Sequence, residues 1–185
     1  RAMYQQGVIK HQDNKYVIES EGDWNELVKN GIFAKENLTI ELIGDITFEM
    51  SYQTVPSLGK NTVFNGNGHT INIKTVEQVI PLFNEVNEEA IVKNFHIYFC
   101  NSIYCSPSFN SSNNNYGLLV SSNNGTIESC GFFVDSEYGC GDVTINGYSE
   151  KENITLNIGL LCGNNTGIIN NCFVGMCGKV NISPI

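Results

Sequence analysis

The densest group of side chains that could do chemistry is acidic: Asp135, Glu137 and Asp142. Carboxylates at such spacing bind Ca²⁺ or, as a pair, act as acid and base on a glycosidic bond. A site for an acidic polysaccharide would also need cationic side chains, and the one arginine of the chain is Arg1. We therefore expect a solvated acidic loop, with weak Ca²⁺ binding as the alternative, and no other cofactor or metal site.

His69 is the remaining candidate for a general base, and it directly follows the turn sequence Asn65-Gly66-Asn67-Gly68. Asn and Gly tolerate positive φ, so this sequence is typical of a sharp turn that the histidine braces. The sequence has no G-x-S-x-G, HExxH or phosphate-loop motif. These features favour a protein without enzymatic activity, and a polysaccharide lyase or hydrolase is the less favoured alternative.

Seven cysteines are present and none forms a CxxC pair, so a zinc site is not indicated. Cys100 and Cys105 flank a polar segment and could close it as a disulfide. Cys140 and Cys177 are the other candidate pair. An odd number leaves at least one thiol free or intermolecular.

The chain also has six N-x-S/T sequons, which are acceptor sites for N-linked glycans in secreted proteins. With the cysteine content, they predict an extracellular or cell-surface glycoprotein. The sequon asparagines are Asn37, Asn110, Asn124, Asn153, Asn164 and Asn181.

Composition limits the remaining functional classes. The 185 residues suit one domain, and a charged fraction of 16% with many Asn, Gly, Ser and Thr suits short strands and turns. A net charge of −9 argues against nucleic acid and anionic membranes as partners. No apolar run approaches the ~20 residues that would span a bilayer.

Three stretches, which begin at Pro81, Gly117 and Gly159, repeat one pattern and must position any site. Each has Leu second, Asn seventh and Ile eleventh, although the starts lie 36 and 42 residues apart. Constant internal spacing with variable connections is typical of a β-solenoid in which like residues stack. The ladder residues are Leu82, Leu118 and Leu160, then Asn87, Asn123 and Asn165, then Ile91, Ile127 and Ile169.

The fourteenth position holds Asn94, Cys130 and Cys172, and we expect the two cysteines to stack as buried thiols. The Asn ladder is interpreted as structural, because stacked amides hydrogen-bond to one another at a turn.

The rest of the chain divides into an arm, a domain and two insertions. Residues 1–15 are predicted to form an extended arm, and residues 16–185 a single domain with insertions 98–115 and 135–157 that project from it. Asp23 and Glu26 resemble a capping box, which predicts a helix that covers one end of the solenoid.

Three further blocks carry a family resemblance. These are Asp23-Trp24-x-x-Leu27, Leu42-x-Gly44-Asp45-Ile46 and the Phe64–Ile71 block FNGNGHTI. With the repeats, they resemble secreted surface proteins of the adhesin type that carry the GLUG repeat, G-x-L-x-G-x-N-x-G-x-I-x-x-C. The resemblance implies an all-β fold, a right-handed parallel β-helix, and a structural or adhesive role. Pro81 departs from the first Gly of the repeat.

The functional prediction is a non-enzymatic structural or adhesive module, a subunit of a surface fibril. One end of the solenoid lacks a cap, and the arm around Gly7-Val8-Ile9 could add as a strand to a neighbour, head to tail. The partner is then a second copy, or cell-surface glycans and proteins. The alternative is a carbohydrate-binding domain that uses the aromatics of the first insertion, whose other interpretation is internal packing. They are Tyr98, Phe99, Tyr104, Phe109 and Tyr116.

Overall fold

The computed structural model describes residues 11–49, 54–74, 79–136, 139–149 and 153–184. Within them the chain forms one helix, α1 (Glu21–Lys29), and nineteen strands. The strands are β1 (His11–Gln12), β2 (Lys15–Ile18), β3 (Thr39–Leu42), β4 (Ile46–Phe48), β5 (Val63–Ile73), β6 (Phe83–Val86), β7 (Ile91–Phe99), β8 (Ile103–Cys105), β9 (Ser108–Phe109), β10 (Asn115–Gly117), β11 (Val120–Asn123), β12 (Thr126–Ser136), β13 (Gly139–Cys140), β14 (Val143–Ser149), β15 (Asn157–Gly159), β16 (Cys162–Asn165), β17 (Ile168–Asn170), β18 (Phe173–Gly175) and β19 (Val180–Pro184).

These strands form four sheets. The largest follows the order β1-β2-β3-β5-β7-β12-β13, with β4 paired to β5 and with β17 and β18 paired to β12. The smaller sheets are β16-β11-β6, β10-β15, and β19-β14-β8 with β9 on β14. Pairs β1–β2 and β12–β13 are antiparallel, and the other described pairs are parallel.

The prediction of a right-handed parallel β-helix is wrong, although the chain is mostly β as expected. The largest sheet mixes antiparallel and parallel pairs, and the four sheets do not close into a solenoid. The physical reason is that a ladder of like residues specifies which segments pair side by side. It does not specify how separate sheets join, or where a hairpin adds an antiparallel strand.

The ladder itself is correct for the second and third stretches. Asn123 pairs with Asn165 and Ile127 with Ile169, both at the expected spacing of 42 residues. In the first stretch both ladders are displaced by one residue, the Asn ladder toward the N-terminus and the Ile ladder toward the C-terminus. Val86, not Asn87, lies opposite Asn123, and Val92, not Ile91, lies opposite Ile127.

The same displacement affects the ladder ends. Phe95, not Asn94, pairs with Cys130. Leu82 and Leu118 are both buried, whereas Leu160 is only partly buried against the core.

The predicted helix forms, but it begins three residues earlier than expected. Ser20 is the N-cap, and its hydroxyl accepts a hydrogen bond from the Asp23 N–H at 3.2 Å. The Asp23 carboxylate in turn accepts from the Glu19 N–H at 2.8 Å, so Asp23 is the third helical residue of a capping box. The helix places Trp24 and Leu27 in the core.

Two domain-level predictions change as well. Residues 11–15 do not extend freely, because His11–Gln12 pairs with Lys15–Tyr16 in a hairpin; residues 1–10 lie outside the described residues. The two insertions do not project separately. Strand β14 of the second pairs with β8 and β9 of the first, so the insertions form one sheet with β19.

Candidate functional site

All four sheets end on the same segment of chain, residues 157–184, which we call the terminal layer. It contains β15, β16, β17, β18 and β19. Within the described residues, each of these strands pairs with one strand only, on the side of the preceding layer. The terminal layer therefore presents a set of sheet edges on its other side.

The inward-facing side chains of the terminal layer lack the cover that their neighbours have. In the preceding layer, the side chains that pair with them are fully buried. The pairs are Ile127–Ile169, Phe132–Val174, Val143–Val180 and Ile145–Ile182, in which the first member is 0% exposed and the second 36, 38, 43 and 46% exposed. Exposed apolar side chains that continue a core mark an interaction surface.

The terminal layer is also nearly uncharged. Lys179 is the only charged residue between positions 157 and 183, in a chain of net charge −9. Its backbone N–H donates to the Asp142 carboxylate at 2.7 Å. Covering this surface would desolvate at most one charged side chain, so the free-energy cost of desolvating charges would be small.

The asparagine pair shows how one layer bonds to the next. Asn123 Nδ2 donates to Asn165 Oδ1 at 2.8 Å, and Asn123 Oδ1 accepts from the Gly125 N–H at 3.1 Å. Asn165 repeats the local geometry with Gly167, whose N–H donates to Asn165 Oδ1 at 3.2 Å. Asn165 is exposed, so its amide lies where a further layer would hydrogen-bond.

A second asparagine pair was not predicted. Asn157 Nδ2 donates to Asn115 Oδ1 at 2.8 Å across the same 42-residue spacing. The sequence contains the signal, because both residues are Asn and are 42 residues apart. They lie two residues before the repeated stretches, which begin at Gly117 and Gly159.

We expect Asn123→Ala to lower the free energy of unfolding by about 1–3 kcal/mol, because it leaves buried groups of the Gly125 turn without a partner. Asn87→Ala is the matched control. Asn87 is half-buried, and its one described side-chain bond is to the Leu58 carbonyl at 2.8 Å. Urea unfolding would measure both. Equal losses would show that the Asn123–Asn165 contact has no special weight.

The cysteines divide into one bridge and five thiols. The predicted Cys140–Cys177 disulfide is confirmed, and it ties β13 to the segment between β18 and β19. The Cys100–Cys105 bridge does not form, and both are free thiols. Cys105 lies on the buried face of β8, which directs its side chain into the core.

Burial controls the thiol chemistry. Burial raises the pKa of Cys105 to about 11. Burial, and then the neighbouring Cys172, raise the pKa of Cys130. Both thiols are free, as predicted, but only Cys130 is buried; Cys172 is half-buried, so the prediction of two buried thiols holds for Cys130 alone.

We therefore expect Cys105 to react with iodoacetamide at pH 8 roughly a hundredfold more slowly than an unperturbed thiol, since two pKa units reduce the thiolate fraction by that factor. Cys130 should be slow for the same reason. Mass spectrometry of alkylated peptides, with urea-unfolded protein as the control, measures this. Fast labelling of Cys105 in the folded protein would contradict its burial.

The sequons differ in accessibility. Four have exposed asparagines: Asn37, Asn110, Asn153 and Asn181. Asn124 and Asn164 are half-buried. Asn124 is also engaged, since its Nδ2 donates to Glu85 at 2.9 Å and its Oδ1 accepts from the Thr166 hydroxyl at 2.6 Å. A glycan on Asn124 would have to displace both contacts.

The acidic residues act as hydrogen-bond acceptors. Asp135 accepts from the Tyr98 hydroxyl at 3.3 Å, and desolvation together with this carboxylate raises the pKa of Tyr98. Asp142 accepts from the Lys179 N–H, and Glu137 lies outside the described residues. Among the described residues no three His, Cys, Asp or Glu side chains are grouped to hold a metal ion.

The predicted sharp turn before His69 is instead an irregularity within β5, where the pairing with β7 shifts register between Asn65 and His69. Asn67 and Gly68 have positive φ there, as the Asn-Gly sequence predicts. The His69 Nδ1 is 3.4 Å from Asp45 Oδ1, and the same oxygen accepts from the Thr70 N–H at 2.9 Å. The pair therefore joins β5 to the segment between β3 and β4.

The aromatics of the first insertion are mostly packed. Phe99, Phe109 and Tyr116 are buried, and the Tyr116 hydroxyl donates to the Val79 carbonyl at 2.9 Å. Tyr98 is half-buried. Tyr104 alone among the five is well exposed, at 53%.

No helix in the described ranges is long and apolar enough to cross a membrane. The intramolecular disulfide is compatible with an extracellular protein.

Comparison with known proteins identifies no relative: no family model, no curated protein and no solved structure matches this chain. The resemblance to GLUG-repeat proteins thus stays a prediction.

Proposed function

We propose that this chain is a non-enzymatic extracellular structural or adhesive glycoprotein module that associates with a second copy of itself through the terminal layer. One observation carries the proposal. Inward-facing apolar side chains that are buried in the preceding layer are 36–46% exposed on strands whose outer edges have no described partner. Such edges are sites of strand addition unless they are covered.

The contact between the terminal layer and the layer before it shows which side chains pack well against such a surface. The terminal layer packs on the layer before it with Ile on Ile at 127 and 169 and an Asn amide on an Asn amide at 123 and 165. A second copy offers the same surface, apolar and carrying Lys179 as its one charge. Contact between two such surfaces therefore brings few like charges together.

Two assembly geometries are distinct. If the terminal layers of two copies meet, the contact is isologous and closes as a dimer. A head-to-tail fibril requires the opposite end of the next copy. There α1 covers the core and His11–Gln12 is already paired to β2. The strand donor predicted from the sequence, Gly7-Val8-Ile9, lies outside the described residues.

The extracellular part of the proposal is supported by chemistry. The Cys140–Cys177 disulfide needs an oxidising compartment to persist. Four sequon asparagines are exposed. Asn181 pairs with Thr144 on the face of β19 opposite Val180 and Ile182, so a glycan there would leave the apolar side uncovered.

The test is the mass of the oxidised, secreted chain in solution, measured by sedimentation velocity over a range of concentrations. We expect association in the wild type and a monomer for Ile182→Lys, since a charge in place of this exposed apolar side chain would have to be desolvated on contact. Tyr104→Lys is the matched control, because Tyr104 is similarly exposed but lies on the outward face of the same sheet.

A wild-type chain that stays monomeric at all concentrations would contradict the proposal. Equal dissociation by both lysine variants would place the contact elsewhere.

A further inference from the structure

A cavity of about 570 Å³ lies beside the first insertion and is separate from the terminal layer. Its walls come from residues 79–84, from residues 106–116, and from Val55 and Ser121. The volume is within the range of about 300–1,000 Å³ that is usual for small-molecule sites.

None of the described residues that line the cavity is charged. This is notable in a chain with 19 acidic and 10 basic side chains. An anionic ligand would find no cation to neutralise it and would be repelled by a net charge of −9; a cationic ligand would find no carboxylate in the lining. The composition thus selects for a neutral ligand.

Polar side chains in the lining are available to a ligand. The Asn84 and Asn113 amides and the Ser106 and Ser108 hydroxyls make no side-chain hydrogen bond within the described residues. Ser121 is the deepest: it is 3% exposed and its hydroxyl accepts from the Gly117 N–H at 3.4 Å. Its own proton has no acceptor among the described residues, and a buried hydroxyl ordinarily finds one.

Apolar surface of fixed geometry completes the lining. Phe109 and Tyr116 are buried, and Tyr116 is held by its hydrogen bond to the Val79 carbonyl. Pro81 and Pro107 add rigid rings. The Phe109 and Tyr116 rings are each only 4% exposed, so they close the wall of the cavity. The half-buried Ile80 and Pro107 supply its accessible apolar surface. Apolar surface of this kind packs against the C–H face of a sugar, whose hydroxyls both donate and accept as Ser and Asn do.

We propose that this cavity binds a neutral carbohydrate. The Asn84, Asn113 and Ser121 side chains would hydrogen-bond its hydroxyls, and Ile80 and Pro107 would contact its apolar face. The site does not depend on self-association, because no residue of the terminal layer lines it.

The experiment is saturation-transfer-difference NMR and calorimetric titration of the whole chain. The neutral probes are lactose, maltose and N-acetylglucosamine, and the anionic probes are glucuronate and glucose 6-phosphate. We expect saturation transfer to at least one neutral probe and none to the anionic probes. The Ile182→Lys variant should bind as the wild type does, which separates this site from the terminal layer.

Ser121→Ala should weaken binding about tenfold, which is the usual effect of one ligand hydrogen bond. Asn84→Ala should weaken it similarly, and because Asn84 is exposed and makes no internal side-chain bond, this variant should keep its fold. Tyr104→Ala is the control outside the cavity and should leave binding unchanged. Absence of transfer to every neutral probe, equal binding of anionic probes, or a loss in Tyr104→Ala alone would each overturn the proposal.

Discussion

Replacing Trp24 with alanine is expected to lower the free energy of unfolding by about 3–5 kcal/mol, the usual range for a buried Trp. The indole is fully buried, and ring centroids of four phenylalanines lie 4.6–5.8 Å from it. They are Phe33, Phe48, Phe64 and Phe83. The indole thus joins α1 to strands of three layers, and the cavity left by alanine would be lined by aromatic rings that cannot collapse onto it. Urea unfolding followed by far-UV circular dichroism would measure the loss.

Trp24→Phe is the informative control. Trp24 Nε1 is buried with no hydrogen-bond partner in the described part of the chain. Phenylalanine would remove that unsatisfied donor while it keeps most of the ring contacts, so we expect a loss of only about 1–2 kcal/mol. Equal losses in both variants would mean that the indole donor is bonded in solution or that the aromatic cluster is not the stabilising centre.

Removing the Cys140–Cys177 bridge with paired serines is expected to cost about 3–4 kcal/mol. The cross-link spans 37 residues, and chain-entropy arguments assign this order of free energy to a closed loop of that length. The loop contains β14 to β18, so the bridge restrains most of the terminal layer against the rest of the domain. Thermal and urea unfolding of the double variant would measure the effect.

Cys100→Ser is the matched control, because Cys100 is a half-buried thiol without a bridge. We expect it to change the unfolding free energy by less than about 0.5–1 kcal/mol. A double variant as stable as the wild type would show that the terminal layer is held by its strand pairing alone.

The pairing of β10, β11 and β12 with the terminal layer could be predicted from sequence because the spacing of these pairs is constant. Asn115–Asn157, Asn123–Asn165 and Ile127–Ile169 all lie 42 residues apart. Strand β14, which lacks the repeat, pairs with β19 at a spacing of 37 residues. The first layer could not be placed in the same way. Phe83 pairs with Val120, 37 residues on, but Ile91 pairs with Thr126, 35 residues on.

The cause of that shift is local. Between the paired segments, the turn of residues 87–90 is two residues longer than the turn of residues 124–125. An alignment without gaps therefore misplaces the Asn ladder by one residue in one direction and the Ile ladder by one residue in the other. A displacement of one residue reverses which face of a strand a side chain occupies.

The way in which the sheets join could not be predicted from the repeat, for a different reason. The repeat contains information about neighbouring layers only, whereas the pairing of β14 with β8 and β9 joins two segments that lack the repeat. The prediction that the unrepeated segments project separately missed this pairing. It also hid the cavity, whose lining includes Phe109 and Tyr116 from the first insertion together with Val55 and Ser121 from outside it.

The terminal layer has exposed sheet edges and half-exposed inward side chains among the described residues. Its role as an association surface stays a prediction. The disulfide that restrains the terminal layer, Cys140–Cys177, was among the predicted pairs. The pairing of Cys100 with Cys105 failed because closeness in sequence does not fix the face of β8 on which Cys105 lies.

Hydrogen–deuterium exchange of the oxidised chain at low and high protein concentration tests self-association at the terminal layer most directly. We predict that amides of β16 and β19 exchange more slowly at high concentration, while amides of the central strand β7 do not change. Concentration-independent exchange throughout β16 and β19, in a sample that sediments as an oligomer, would contradict self-association at the terminal layer, because the contact would then lie on another surface.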